Sequence, residues 1–333
     1  MKTTSPTVPD SQVAIRPFVE GQDEDAWLAV TNAVITEDGT RQPITRDQYD
    51  RETRNPGFIG QGRFVAERGS QVVGLIHPLF SADWPGKAAN LSSLMVHREF
   101  RRAGIGTALL ERSIQDLRDR GAATINAAVG SENVAAVRFA ESRDFLLSGT
   151  MNLLRCSLER LPDPNLRPGL SIREASNADA EALARVVNDT QQGVPGHSDV
   201  TGEDIREWFN LPGNAEFRVL RLIAELDGKA VGYLAGMANP PEIRTTGRNS
   251  GRINEVGVYE QHRRQAIGRA LLLHGLRACR DSGRKEVEVF MDGKLLERAH
   301  RFPESVGFSV ARRWLVYERS LRDSPGRPGT EHA

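Results

Sequence analysis

Leu110, Ile114 and Leu117 stand at the spacing that marks one face of a helix, and Leu272, Leu276 and Cys279 repeat that spacing in the second half of the chain. Each predicted helix ends at a glycine, Gly121 and Gly283. Shorter apolar runs bounded by turn residues predict hairpins. Phe64–Glu67 leads through Arg68, Gly69 and Ser70 to Val73 and Gly74, and Leu222–Glu225 leads through Asp227, Gly228 and Lys229 to Val231 and Gly232. Ile15–Arg16 and Ile172–Arg173 each open a short strand, followed by a helical stretch at Asp25–Val34 and Asp179–Val187. Leu91, Leu94 and Val96 belong to an apolar strand that enters the first strong helix.

These elements recur in one order, so the chain is a tandem repeat. Val96–Leu110 aligns without a gap on Val258–Leu272 with eight of fifteen positions identical, which is enough to fix the register for the rest of each copy. The predicted unit is β-α-(α)-β-β-β-α-β-α-β, present twice. Residues 159–169, with three prolines and a glycine, form the expected linker between a domain at 12–158 and a second at 170–322. Residues 1–11 and the Gly- and Pro-rich tail 323–333 are expected to be disordered.

Composition narrows the function classes. Lys plus Arg and Asp plus Glu are 44 each, which gives no reason to expect nucleic acid or an anionic membrane as partner. No run of 18 apolar residues occurs, so no membrane span is expected. Cys156 and Cys279 fit neither a metal nor a disulfide framework, which points to a reducing, cytoplasmic setting and to no metal site.

The chemistry concentrates where the apolar strand meets the helix. Arg101, Arg102, Ala103, Gly104, Ile105, Gly106 and Thr107 carry the chain through a tight turn. Glycine lets the backbone approach a ligand closely, and the first-turn N–H groups of a helix have no partner within it. That is a pyrophosphate site in outline, with arginines adding charge-assisted bonds. An ATPase loop is excluded by the lack of Lys-Ser/Thr after the glycines, and a dinucleotide fold by the lack of the acidic residue about 20 positions on.

Arg101, Arg102, Gly104 and Gly106 resemble the R-x-x-G-x-G signature of the GNAT acetyltransferase superfamily, in a tandem layout similar to that of the mycothiol synthases. The second copy retains Arg263, Arg264, Gly268 and the following Arg269, with Ala266 in place of the first glycine. A second family signature matches at Asn133, Ala136, Phe139 and Phe145, and again at Ala299, Phe302, Gly307 and Phe308, with Leu296 where Asn is usual. The resemblance implies two α/β folds, each a mixed, mostly antiparallel twisted sheet flanked by helices. It implies acetyl-CoA as cosubstrate, its pantetheine arm lying along the strand that ends at Met95 and Val96, or in copy two at Val258. It also implies an oxyanion donated to by backbone N–H near Met95 and Val96, or near Gly257 and Val258. The expected reaction is direct acetyl transfer to the primary amine of a small molecule by a monomer or homodimer. The alternative is a catalytically degenerate, CoA-binding scaffold.

The tyrosine that family members use as general acid is replaced by Ala140 and Pro303. Three residues on the strands stand as candidates for proton transfer: Ser92, Asn254 and Glu255. Glu255 is the only carboxylate on these strands, and strict alternation sets it on the face opposite Arg252 and Asn254. The intact first loop, with Asn133, makes copy one the expected acetyl-CoA site.

Overall fold

The hairpins form where the alternation places them. In the computed structural model, which describes residues 12–38, 42–54, 57–192, 198–240, 247–299 and 301–322, β2 (Phe64–Arg68) pairs antiparallel with β3 (Gln71–Leu79), and Gly69 turns between them at φ +62°. The stretches 1–11 and 323–333 lie outside the described residues.

Two compact units result, residues 1–148 with 315–333 and residues 149–314. In the first, β1 (Val13–Pro17), β2, β3 and β4 (Ala88–Val96) are antiparallel neighbours in sequence order, and β5 (Thr124–Gly130) lies parallel to β4. The helices are α1 (Glu24–Asp38), α2 (Arg46–Thr53), α3 (Ile105–Asp119) and α4 (Val134–Glu141). α3 buries Leu109, Leu110, Ile114 and Leu117 against Phe64, Ile76 and Ile125 on one face of the sheet. On the other face Trp27 and Val30 of α1 pack on Val65 and Leu75.

The second unit follows the same plan. β7 (Leu170–Glu174), β8 (Val219–Leu226), β9 (Lys229–Met237) and β10 (Ser250–Val258) are antiparallel, and β11 (Glu286–Asp292) is parallel to β10. Helices α5 (Ala180–Gln191), α6 (Gly202–Phe209) and α7 (Asn214–Phe217) precede β8, and α8 (Ile267–Asp281), α9 (Gly293–Ala299) and α10 (Arg301–Glu304) follow β10. α8 packs Leu271, Leu272 and Leu276 against Leu222, Leu234 and Ile253. α5 covers the opposite face at Ile223 and Tyr233.

Repeat boundaries and compact units are different divisions of this chain. β6 (Leu146–Ser157) ends the first repeat, yet from Gly149 it belongs to the second unit, where Met151–Ser157 pairs antiparallel with β11. β12 (Ser309–Ser320) ends the second repeat, yet from Leu315 it belongs to the first unit, where Tyr317 and the following Leu321 enter the core around α3. Segment 159–169 is tied to α8, with Arg277 donating to Asp163 at 2.9 Å and Arg269 to the Asp163 carbonyl at 3.2 Å.

Smaller devices recur as well, and the sequence reading missed them. Asn32 exchanges two hydrogen bonds with the Ile44 backbone, and Asn188 does the same with Val200. The next residues, Thr45 and Thr201, cap α2 and α6 through capping boxes. Arg16 donates to Asp23 and Arg173 to Asp179, which holds both carboxyls below their ordinary range.

Cys156 and Cys279 are both buried free thiols. Burial pushes Cys156 up to about 11 and Cys279 up to about 12. Neither is expected to react with a thiol reagent at pH 8, where on the order of one thiol in a thousand or fewer would be ionised. Titration with an aromatic disulfide should therefore give no release from native protein and two equivalents after unfolding.

Candidate functional site

In the first unit the ladder between β4 and β5 runs only from Ala88–Thr124 to Leu91–Ala127. Beyond it the two parallel strands part, and Ser93–Val96 stays paired with β3. The His97 N–H donates to the Val73 carbonyl at 2.9 Å, so by alternation the Val96 N–H points the other way, into the gap. β10 and β11 part in the same manner after Arg252–Glu288. There the Tyr259 N–H donates to Val231 at 3.1 Å, which leaves the Val258 N–H facing the gap. Of the residue pairs expected as oxyanion donors, alternation thus selects Val96 and Val258 over Met95 and Gly257.

The signature turns are built alike. Arg102 and Gly104 take φ +66° and +79°, and Arg264 and Ala266 take +60° and +61°. Ala266 adopts the left-handed backbone that Gly104 supplies without strain, so the substitution alters energy and not shape. Ala266→Gly is expected to stabilise the protein by about 1 kcal/mol, visible as a thermal midpoint raised by roughly 2–4 °C. At Gly104 a side chain would meet nothing within 4 Å, so the turn opens to a ligand. The N–H groups of Ile105, Gly106 and Thr107 lead α3 toward that space, while the Ile105 side chain is buried in the core. These features fit a pyrophosphate.

The arginines divide their work. Arg101 Nε donates to the Val96 carbonyl at 2.9 Å, and its terminal nitrogens grip Glu37 at 3.0 and 2.6 Å. Arg263 Nε likewise donates to the Val258 carbonyl at 3.1 Å. Both side chains therefore brace the turn, leaving exposed Arg102 and Arg264 toward solvent with Ala103. Arg269 faces the 159–169 segment.

The two signatures meet in space. A Cβ on Gly106 would sit 3.7 Å from the Phe139 ring, and one on Gly268 would sit 3.4 Å from Phe302. Asn133 caps α4 by accepting from the Ala136 N–H at 3.0 Å. In copy two Asp292 replaces that cap, accepting from the Lys294 and Leu295 N–H groups ahead of Leu296. Asp144 takes φ +60° and Gly307 +100°, the turn that favours glycine before the aromatic. Arg143, which the sequence reading overlooked, donates to Thr107 Oγ1 at 2.7 Å and lies 5.6 Å above the Phe139 ring. It adds a cation at the N-terminus of α3; no family motif marks it.

Ala140 is buried in the core, as is Pro303, so neither position offers a proton donor. The placement of Glu255 corrects the sequence reading. β10 is bulged between Ile253 and Glu255, so Asn254 is extra: Arg252 pairs with Met237 and Glu255 with Ala235. The bulge carries Glu255 onto the face of Arg252 and Tyr233, the face that α5 covers. Tyr233, buried, donates to Glu255 Oε2 at 2.8 Å and accepts from Gln191 Nε2 at 2.9 Å. Burial and the Glu255 charge push the Tyr233 phenol up, which keeps it protonated as a donor. β4 is bulged at the matching place, with Ser92 extra and Ser93 opposite His77. His77 is a satisfied core residue, buried between Trp27 and Phe58 with Nε2 2.7 Å from the Ile59 carbonyl, and burial pushes its pKa down. Ser92 and Asn254 are the exposed bulge residues themselves.

The sequence profile of the acetyltransferase (GNAT) family matches residues 27–145 and again 182–308. The chain belongs to that family. Both matches span a parted strand pair and its signature turn. Among curated relatives, a mycothiol acetyltransferase of Saccharomonospora viridis is 29% identical over 247 residues, covering 71% of this chain and 74% of the relative. One of Thermobispora bispora is 31% identical over 144 residues, covering 42% of this chain and 48% of the relative, so that alignment spans about half its length. The fold is that of a GCN5-related N-acetyltransferase from Sphaerobacter thermophilus, with TM-score 0.70, 20% identity and coverage of 93% and 96%. A tandem GNAT protein from the clavulanic acid biosynthesis pathway gives 0.68, 19%, 94% and 100%. Among the described residues no helix is long and apolar enough to cross a membrane.

Proposed function

We propose that this GNAT protein transfers the acetyl group of acetyl-CoA to a primary amine of a small molecule by direct attack in a ternary complex, and that the second copy carries the chemistry. The observation that carries this reading is Glu255, set by a bulge beside the parting of β10 and β11 and held by Tyr233. Copy one has Ser93 in that place. The expectation from sequence favoured copy one for its intact loop, but both loops have the same backbone, and of the bulged strands β4 and β10 it is β10 that carries a carboxylate.

Amine acetylation needs a proton acceptor, because an alkylammonium titrates at about 10.4. Glu255 takes one proton from the ammonium, directly or through water, so that the freed nitrogen lone pair attacks the thioester carbon, and the second N–H proton of the intermediate passes to solvent. The Val258 N–H donates to the oxygen that becomes anionic. As the intermediate collapses the C–S bond breaks and CoA leaves as a thiolate, which is protonated from solvent. A thiol pKa of about 8.5 makes that departure tolerable without the missing tyrosine. Copy one retains the features of a CoA site, with Gly104 open to the ligand and Arg143 beside the helix N-terminus.

Calorimetric titration of acetyl-CoA into wild type, Gly104→Trp and Ala266→Trp, with turnover measured on an amine panel, tests the reading. Turnover abolished by Ala266→Trp and retained by Gly104→Trp is the expected result. The reverse would return the chemistry to copy one. Binding without turnover on any amine would favour the CoA-binding scaffold.

A further inference from the structure

We infer that the sheet face beside Glu255 is the acceptor subsite, shaped for a primary amine on a flat apolar body with an anionic group at its far end. This rests on the assignment of the chemistry to copy two and adds the class of acceptor. All residues concerned lie within the second unit.

Arg252 and Glu288 are partners across the parallel pair β10–β11, and Phe290 follows Glu288 on the same face by alternation. The bulge puts Glu255 on that face too. α5 and α6 pack on Ile223, Tyr233 and Ala235 and on Tyr259 after β10, and Phe290 of β11 is left 44% exposed. The Phe290 and Trp314 rings lie 5.9 Å apart at an interplanar angle of 37°. The Arg252 guanidinium lies 5.1 Å above Phe290 and that of Arg312 lies 4.9 Å above Trp314. An aromatic platform edged by guanidinium groups leads away from the proton acceptor.

The charges decide what fits the far end. The carboxylates of this face already have partners. Glu288 accepts from Arg155 at 2.8 Å, Glu286 is paired with Arg155 and Arg248, Asp292 caps α9, and Glu255 accepts from Tyr233. Arg312 Nε, by contrast, is buried with no hydrogen-bond partner among the described residues. The rest of this half-buried guanidinium has no ion pair among the described residues either, and an anionic oxygen arriving with the acceptor would give its terminal nitrogens a charge-assisted partner. The ring faces suit a planar or apolar body between the two ends. In copy one the corresponding pair is Asn90 and Asn126, followed by Ala128, with Ser93 for Glu255, so that face has neither platform nor carboxylate.

The experiment measures binding of two probes to the full chain saturated with CoA: benzylamine, and 4-(aminomethyl)benzoate, which adds a carboxylate opposite the amine. The carboxylated probe is expected to bind about tenfold tighter, as one charge-assisted hydrogen bond provides. Arg312→Gln should bring the ratio close to one, and Phe290→Ala should weaken both probes, with CoA affinity and thermal midpoint checked for each variant. Equal binding of the two probes, no binding of either, or a preference that survives Arg312→Gln would overturn the subsite. Acetyl transfer is scored separately. A protein that keeps the probe preference yet never turns over acetyl-CoA would retain the subsite and lose the acetyltransferase reading.

Discussion

Glu255→Gln is expected to lower kcat by roughly 10²–10⁴-fold while acetyl-CoA binds as in wild type, because a positioned general base is worth about that much. The substitution keeps the shape and a hydrogen-bond acceptor for Tyr233, so the strand and its bulge should persist. The neighbouring Ser92 of copy one, replaced by Ala, should leave turnover within about twofold, since exposed surface substitutions seldom propagate. Steady-state kinetics with calorimetry of acetyl-CoA separates the two steps. Turnover unaffected by Glu255→Gln at neutral pH would remove the carboxylate from the mechanism, leaving water or another group as acceptor.

Residues 12–158 expressed alone should fail to fold cooperatively, although they contain a full sequence repeat. The first unit takes Tyr317 and Leu321 into its core from the end of the chain, where Tyr317 donates to Glu141 at 3.1 Å and the Leu321 N–H donates to the Ala123 carbonyl at 2.9 Å. Losing two such buried side chains costs on the order of 5 kcal/mol or more by comparison with large-to-small substitutions, about the whole stability of a small domain. The fragment would also expose the edge of β6 that pairs with β11 from Met151 to Ser157. Circular dichroism and thermal melting of the fragment decide the matter. A cooperative transition near that of the full chain would show that the exchanged strands are dispensable. A single fragment in which residues 309–322 are fused behind 12–148 should regain the transition.

The contrast between these expectations shows how far the sequence could be read. The hairpins, the helices α3 and α8, the turns before them and the tandem order were all legible, because each depends on neighbours within a few residues. Periodicity fixes which face of a helix is apolar, and a left-handed turn favours glycine at the residue that makes it, as at Gly104. The family signature was legible for the same reason: it is a local backbone device. Arg101, however, read as a phosphate ligand, and it braces the turn through Val96 and Glu37, a partner far away in sequence.

The number of copies, the element order and the place of the phosphate turn are written in the chain. The direction of Glu255 emerges from strand pairing, since one extra residue in β10 reverses every later side chain and no local pattern announces it. The meeting of Phe139 with Gly106, the guanidinium–aromatic row from Arg252 to Arg312 and the exchange of β6 and β12 between units were decided there as well. All depend on strand pairing between residues distant in the chain. Such pairing is chosen by the packing free energy of the whole unit, and local propensity does not record it.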